Sequence, residues 1–156
     1  MHYNVIFDVT QSGFRNWGEL VIGMVATAST IGFLFYKLRT GFGSLLKEIP
    51  TMLFLCFFSL FTIFGFVLNY QNYLKLRSAL QQSKCSVTEG TVTDFHHVQW
   101  HRHTDEAFVV NGNEFVYWAG SSQNGFNQSG VIRTGLQVRV YYFGKHPDIA
   151  RLEIAQ

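Results

Sequence analysis

The chain has few cysteines, few prolines and little charge. Of its 156 residues 14% are charged, two are cysteines and two are prolines. Two cysteines cannot build a disulfide framework, so we expect Cys56 and Cys85 to be free thiols. The net charge of +2, without any run of lysines or arginines, gives little electrostatic basis for binding nucleic acid.

Charge is missing altogether from two long apolar blocks in the first half of the chain. No charged residue lies between Glu48 and Lys75, and residues 20–36 are also uncharged. Blocks of this length approach or reach the ~30 Å thickness of a bilayer core when they are helical. We predict a transmembrane hairpin over residues 19–70, with spans at about 20–36 and 50–69. The first block begins late and continues apolar, so we expect a retained helix and not a signal peptide.

The segments next to these blocks have their own patterns. Residues 1–18 mix aromatic side chains with polar ones, which is typical of the water–lipid interface, so we predict an interfacial tail there. After the second span, Tyr73, Leu76 and Leu80 continue at helical spacing. This spacing predicts a helical stalk over residues 71–84.

The orientation follows from the basic residues. Lys37, Arg39 and Lys47 lie in the connection between the spans, whereas the tail contains only Arg15. Because basic residues near the spans favour the cytoplasmic side, we expect the connection inside and both termini outside. The reverse orientation is the alternative.

Small residues on the first block suggest close helix packing. Ala28 and Gly32 lie four residues apart and therefore share a helix face, a spacing that lets a second helix approach closely. The simplest partner is the second helix of the same chain. A homo-oligomer is the alternative.

The second half of the chain has the period of strands. From Ser86 onward polar and apolar residues alternate, and Asn111-Gly112 supplies the positive φ angles of a tight hairpin turn. Closing five or six such short strands removes exposed edges. We therefore predict an α+β membrane protein whose residues 85–156 form a small five- or six-stranded β barrel of OB or SH3-like kind.

This pattern of strands and turns is carried by several short stretches: Glu89-Gly90-Thr91-Val92, Phe108 with Asn111-Gly112 and Phe115, Gly135-Leu136, Val138-Arg139-Val140 and Arg151-Leu152-Glu153-Ile154. With the apolar blocks before it, the chain resembles small uncharacterised bacterial inner-membrane proteins in which two spans precede an OB-like β domain. The resemblance implies a multi-pass bacterial inner-membrane protein, and the orientation expected from the basic residues would place its β domain in the periplasm. It implies no catalytic residue.

The densest group of potential ligands lies between the first strand and the Asn-Gly turn. Imidazole and carboxylate groups in segment 96–106 are ligands for zinc, nickel or copper. The metal-site hypothesis rests on four histidines: His96, His97, His101 and His103. The same histidines could instead sense pH, or simply be solvated.

Two segments, 95–106 and 120–130, are the predicted contact surfaces of the β domain. Their candidate binding residues are Trp100, His103, Glu106, Phe126 and Asn127. Phe126 is the large apolar residue of its loop, so it either binds a partner or folds back to cap the domain.

These observations favour a membrane-anchored interaction or scaffolding module. Its expected partners are the lipid bilayer and another membrane or envelope protein. The alternative is a metal-binding protein, and the third hypothesis is a cytoplasmic OB-like nucleic-acid binder that stacks bases on aromatic residues. We expect no enzyme and no cofactor besides that metal, because the sequence pairs no nucleophile with a base.

Overall fold

The computed structural model describes residues 2–41, 45–100, 103–117, 124–144 and 147–156, without the side chains of 45–48, 98–100 and 103–104. The elements within these ranges are, in chain order, β1 (Tyr3–Asp8), α1 (Val9–Ser12), α2 (Trp17–Thr40), α3 (Leu45–Gln81), β2 (Ser86–Trp100), β3 (His103–Val110), β4 (Asn113–Tyr117), β5 (Gln137–Phe143) and β6 (Asp148–Ala155).

The chain divides into two compact units. The helical unit comprises Asn16–Gln71, and the sheet unit comprises Met1–Arg15 together with Asn72–Gln156. The fold is therefore α+β, with two long apolar helices followed by most of a six-stranded sheet, as the sequence predicts.

The six strands form one antiparallel sheet in the order β1-β6-β5-β2-β3-β4. β2 is long enough to pair with β5 over Ser86–Thr91 and with β3 from Val92 to Trp100. The edge strands β1 and β4 do not pair with each other within the described residues, so the sheet is open there and the predicted barrel closure is not seen.

The sequence does not predict the strand at the N-terminus. Tyr3–Asp8 pairs with β6 in a register that joins Tyr3 to Ala155 and Asp8 to Arg151. The run of β-branched and aromatic residues there has strand propensity. Asp8 then ends the strand and caps α1, because its carboxylate accepts a hydrogen bond from the Thr10 N–H at 2.7 Å. Residues predicted as an interfacial tail thus supply an edge strand.

The predicted hairpin turn is confirmed. Asn111 and Gly112 have φ values of 49° and 78°, as the tight turn between β3 and β4 requires. β2 and β3 run through much of segment 95–106, so this ligand-rich segment is largely strand. Val131 and Ile132 form no strand, although Ile132 is buried.

The sheet unit has an aromatic core. The Phe108 ring stacks on that of Phe115 at 5.2 Å and meets Tyr117 edge to face at 6.0 Å. On the end of α3, Tyr73, Leu76 and Ala79 are buried at positions that share one helix face. The predicted face contains Leu80 instead of Ala79, a shift of one residue.

The helical unit consists of α2 and the first part of α3. Both helices extend beyond the predicted spans, and α3 begins five residues before Pro50, which it contains. Both are long and apolar enough to cross a membrane. Most of their large apolar side chains are exposed, in contrast to those of the sheet unit.

Candidate functional site

A network of charged side chains covers one face of the four strands β1, β6, β5 and β2. Side chains that lie directly opposite each other in an antiparallel sheet share a face. The register therefore aligns Glu89 with Arg139 and, in the neighbouring pair of strands, Arg139 with Glu153. We call this surface the charged face; its members are Tyr3, Asp8, Glu89, Arg139, Tyr141, Arg151 and Glu153.

Ion pairs run across the charged face from strand to strand. Arg139 lies between two carboxylates, with Nε 2.7 Å from Glu89 Oε2 and Nη1 3.4 Å from Glu153 Oε2. Arg151 Nη2 lies 2.8 Å from Glu153 Oε1, and its Nε lies 3.9 Å from Asp8 Oδ2. Acidic and basic groups thus alternate along the network, in which Asp8 and Glu153 are buried.

The arginines of the charged face also stack on tyrosines. The Arg139 guanidinium lies 4.2 Å from the centroid of the Tyr3 ring, and that of Arg151 lies 5.6 Å from the Tyr141 ring. The Tyr3 hydroxyl donates a hydrogen bond to Glu89 at 2.7 Å. Arginine and tyrosine are the side chains that most often anchor protein interfaces.

Hydrogen bonding shifts the pKa values of this face. Donation from Arg139, and then from Tyr3, lowers the pKa of Glu89 below its ordinary value. Acceptance by Glu89 raises the pKa of Tyr3 and, in the same way, that of Arg139. All three groups therefore keep their usual charge states over the physiological pH range.

No local sequence pattern marks this face as a site. Several of its residues belong to recognisable strands, and their alternation places them on one side of each strand. The network itself depends on which strands are neighbours and in what register. β1 and β6 are separated by almost the whole chain, so no local pattern could have placed Asp8 beside Arg151.

Glu106, a predicted binding residue, is buried in the sheet unit and is 5% exposed. Its carboxylate accepts hydrogen bonds from the Tyr117 hydroxyl at 2.5 Å, from the Ser129 hydroxyl and from the Gly130 N–H. Burial raises the pKa of Glu106, but these three donors outweigh it and the pKa lies below its ordinary value. Burial, and then the bond to Glu106, raises the pKa of Tyr117. Glu106 therefore ties the 124–132 loop to β3 and β4.

Phe126, the loop aromatic, folds back into the core and is 1% exposed. Its ring meets Tyr117 of β4 at 4.9 Å and Phe7 of β1 at 5.8 Å, so it contacts both edge strands. Asn127 beside it accepts a hydrogen bond from Arg15 at 2.5 Å. Of the two interpretations of Phe126, the capping one is correct, and its side chain offers no contact surface in this conformation.

His96 and His97 lie on β2 and His103 lies on β3, so these three histidines of segment 96–106 are on strands. His96 and His97 are consecutive in β2, so their side chains point to opposite faces of the sheet. The His96 ring lies 3.2 Å from Asp94 and 3.7 Å from Glu114, whereas His97 contacts Phe95.

Part of the predicted metal and contact site cannot be placed. Trp100 and His103 pair through their backbones, but their side chains, and the whole of His101, lie outside the described residues. Among the residues that are described, no group of three or more histidine, cysteine or acidic side chains is arranged to hold a metal ion. The metal-site hypothesis therefore stays a prediction.

The contact between α2 and α3 uses other small residues than the predicted pair. A Cβ atom at Gly23 would lie 3.3 Å from Thr62 Oγ1, and the buried Thr30 and Ser59 hydroxyls lie 3.2 Å apart. Ala28 and Gly32 are exposed, and a Cβ at Gly32 would meet no atom within 4 Å. Close packing of the two helices was thus expected, but Ala28 and Gly32 do not form the contact seam.

No protein-family model, no curated protein and no solved structure matches this chain. The class that the fold defines is a pair of long apolar helices followed by a six-stranded antiparallel sheet.

Proposed function

We propose that this is a two-span protein of a bacterial inner membrane whose sheet unit is an interaction module, with the charged face as its contact surface. The single observation that carries the proposal is the network in which Arg139 and Arg151 are each held by carboxylates and stacked on a tyrosine. A surface whose side chains are already fixed loses little conformational entropy when a partner binds.

The composition of the charged face favours a protein partner over nucleic acid. It contains three acids, Asp8, Glu89 and Glu153, against two arginines, and both arginines are already paired. Binding to a phosphate backbone depends on an excess of unpaired positive charge. Alternating charge flanked by tyrosine and by exposed valine suits the surface of another membrane or envelope protein.

Two features support membrane anchoring. α2 and α3 expose most of their large apolar side chains, and such a surface is stable in lipid but not in water. β1 precedes both helices and β6 follows them, yet the two strands pair. Two crossings of a membrane return the chain to its starting side, as this pairing requires. The basic connection then favours a periplasmic sheet unit.

A crosslinking experiment with two matched valines tests the contact surface. Val87 lies on the charged face and is 52% exposed, and Val116 on β4 is 48% exposed. A photoreactive phenylalanine analogue replaces one or the other in the full chain, expressed in bacterial membranes. We expect a discrete crosslinked membrane or envelope protein from position 87 and none from position 116.

Arginine substitutions then test the network itself. Arg139→Ala and Arg151→Ala should each abolish the crosslink from position 87. The control is Arg133→Ala, which replaces an exposed arginine in a loop and should leave the crosslink unchanged. Equal crosslinking from both valines, or a crosslink that survives the loss of both network arginines, would exclude the charged face as the contact surface.

A further inference from the structure

An apolar groove runs along the contact between α2 and α3. Its volume is about 430 Å³, and its walls come from both helices of the helical unit. Gly23 lies in the lining, where an added Cβ atom would come within 3.3 Å of Thr62 Oγ1. The lining side chains besides Gly23 are Glu19, Leu20, Met24, Thr27, Ala28, Ile31, Thr62, Ile63 and Phe66.

The hydroxyl groups in this groove are already satisfied. Thr27 Oγ1 donates to the Gly23 carbonyl at 2.8 Å, and Thr62 Oγ1 lies within 3.0 Å of the Phe58 and Ser59 carbonyls. From Leu20 to Ile31, therefore, the groove presents methyl and methylene groups and needs no polar partner. Such a lining suits a hydrocarbon ligand.

One end of the groove is polar. Glu19 Oε2 accepts a hydrogen bond from Asn69 Nδ2 at 2.7 Å, while Oε1 makes none with any side chain that the structure describes. A carboxylate at the mouth of an apolar groove complements a ligand with a positively charged donor above a hydrocarbon tail.

The length of the groove identifies the hydrocarbon. From Leu20 to Ile31 a helix rises about 17 Å, close to half of a ~30 Å bilayer core. An acyl chain of one leaflet has this reach.

We propose that this groove binds one acyl chain of a phospholipid whose primary amine headgroup, as in phosphatidylethanolamine, pairs with Glu19. The inference rests on the membrane insertion proposed above and adds a specific lipid to it. The groove is then a lipid site on the protein and not part of the general lipid contact of the helices.

Photolabelling of the full chain in phosphatidylcholine nanodiscs tests this site. A trace of phosphatidylethanolamine or phosphatidylcholine with a diazirine on one acyl chain is activated by light, and the labelled residues are located by mass spectrometry. We expect the ethanolamine probe to label Met24, Ile63 and Phe66 about tenfold more than the choline probe does, which corresponds to one charge-assisted hydrogen bond. Glu19→Gln should equalise the two probes.

A matched pair of substitutions separates the groove from the outer helix surface. Ala28→Leu places a large side chain in the groove and should remove the labelling. Ser29→Leu, the neighbouring exposed residue outside the groove, should leave it unchanged. Equal labelling of the groove and of Phe57, or crosslinks between two copies of the chain in place of lipid, would overturn the proposal.

Alkaline extraction of the membranes distinguishes the two levels of the account. A chain that leaves the membrane at high pH contradicts the anchoring proposal and, with it, the lipid site. A chain that stays in the membrane but shows no preferential groove labelling contradicts the lipid site alone.

Discussion

Phenylalanine occupies opposite environments in the two units. Phe126 of the sheet unit is 1% exposed and contacts aromatic rings on both edge strands, whereas Phe57 of the helical unit is 69% exposed. The same side chain gains stability by leaving water in one unit and, on our proposal, by facing lipid in the other. The burial of a side chain therefore identifies a stabilising core only when it is known whether water or lipid surrounds that unit.

Buried polar groups differ between the units in a similar way. In the sheet unit, the Glu106 carboxylate takes donors from β4 and from a loop, so it joins distant segments. In the helical unit, hydroxyls such as those of Thr27 and Thr30 donate to carbonyls four residues earlier in their own helix. These two hydroxyls thus find acceptors within their own helix, as a lipid environment would require.

Replacing the two phenylalanines gives the largest expected difference. Phe126→Ala should lower the free energy of unfolding of the sheet unit by about 3–5 kcal/mol, because it leaves a cavity between the edge strands. Phe57→Ala, the control, should leave this free energy unchanged. Denaturant titration of the full chain in nanodiscs measures both, and an equal loss for the two variants would show that they share one kind of environment.

The buried carboxylate comes next. Glu106→Gln keeps the size of the side chain but gives up a charged acceptor of three hydrogen bonds, so we expect a loss of about 1.5–3 kcal/mol of sheet-unit stability. The exposed Glu114→Gln is the control and should change stability by less than about 0.5 kcal/mol. Similar losses of stability in both variants would contradict the proposed role of Glu106 in holding the 124–132 loop against β3 and β4.

The pH dependence of stability sharpens the same point. The pKa of Glu106 is lower in the folded state than its ordinary value of about 4.3, so its contribution is complete above that pH and is lost as the pH falls below it. The lowered pKa of Glu89 acts in the same direction. Unfolding curves at several acidic pH values should therefore show a weaker pH dependence in Glu106→Gln than in the wild type, and an unchanged dependence would contradict this assignment.

The seam between α2 and α3 gives the smallest of these effects. Gly23→Leu should destabilise the hairpin by about 1–3 kcal/mol, because the new side chain meets Thr62. Gly32→Leu is the matched control: open space surrounds Gly32, so we expect little change. Detergent titration of the hairpin, followed by the distance between labels on the two helices, measures both. A larger loss of stability in Gly32→Leu than in Gly23→Leu would support the helix contact predicted at Ala28 and Gly32.

The sequence predicts what depends on local pattern. The two apolar helices follow from the uncharged blocks, and the β3–β4 turn follows from the conformational needs of Asn111-Gly112. It does not predict what depends on distant pairing. β1 lacks a signal beyond strand propensity, since its partner β6 lies at the other end of the chain, and the charged face depends on that pairing.

The surroundings of the predicted site residues also depend on distant pairing. Composition marks 120–130 as a polar loop with one aromatic residue, but it cannot show that the Phe126 ring reaches the edge strands. Likewise, segment 96–106 is rich in histidine, yet its strand conformation turns His96 and His97 to opposite faces. Residue type indicated which chemistry to look for, and the backbone determined which side chains meet.

The most direct test of the central claim, that α2 and α3 both cross a membrane, is cysteine labelling in intact bacterial cells. In a background with Cys56→Ser and Cys85→Ser, single cysteines replace His2, Thr40 or Gln156, all of which are exposed. A membrane-impermeant maleimide should label His2→Cys and Gln156→Cys in intact cells, and Thr40→Cys only after lysis. Labelling of Thr40→Cys alone in intact cells would show that the orientation is the reverse of the one proposed. Labelling of all three positions under the same condition would contradict the two crossings.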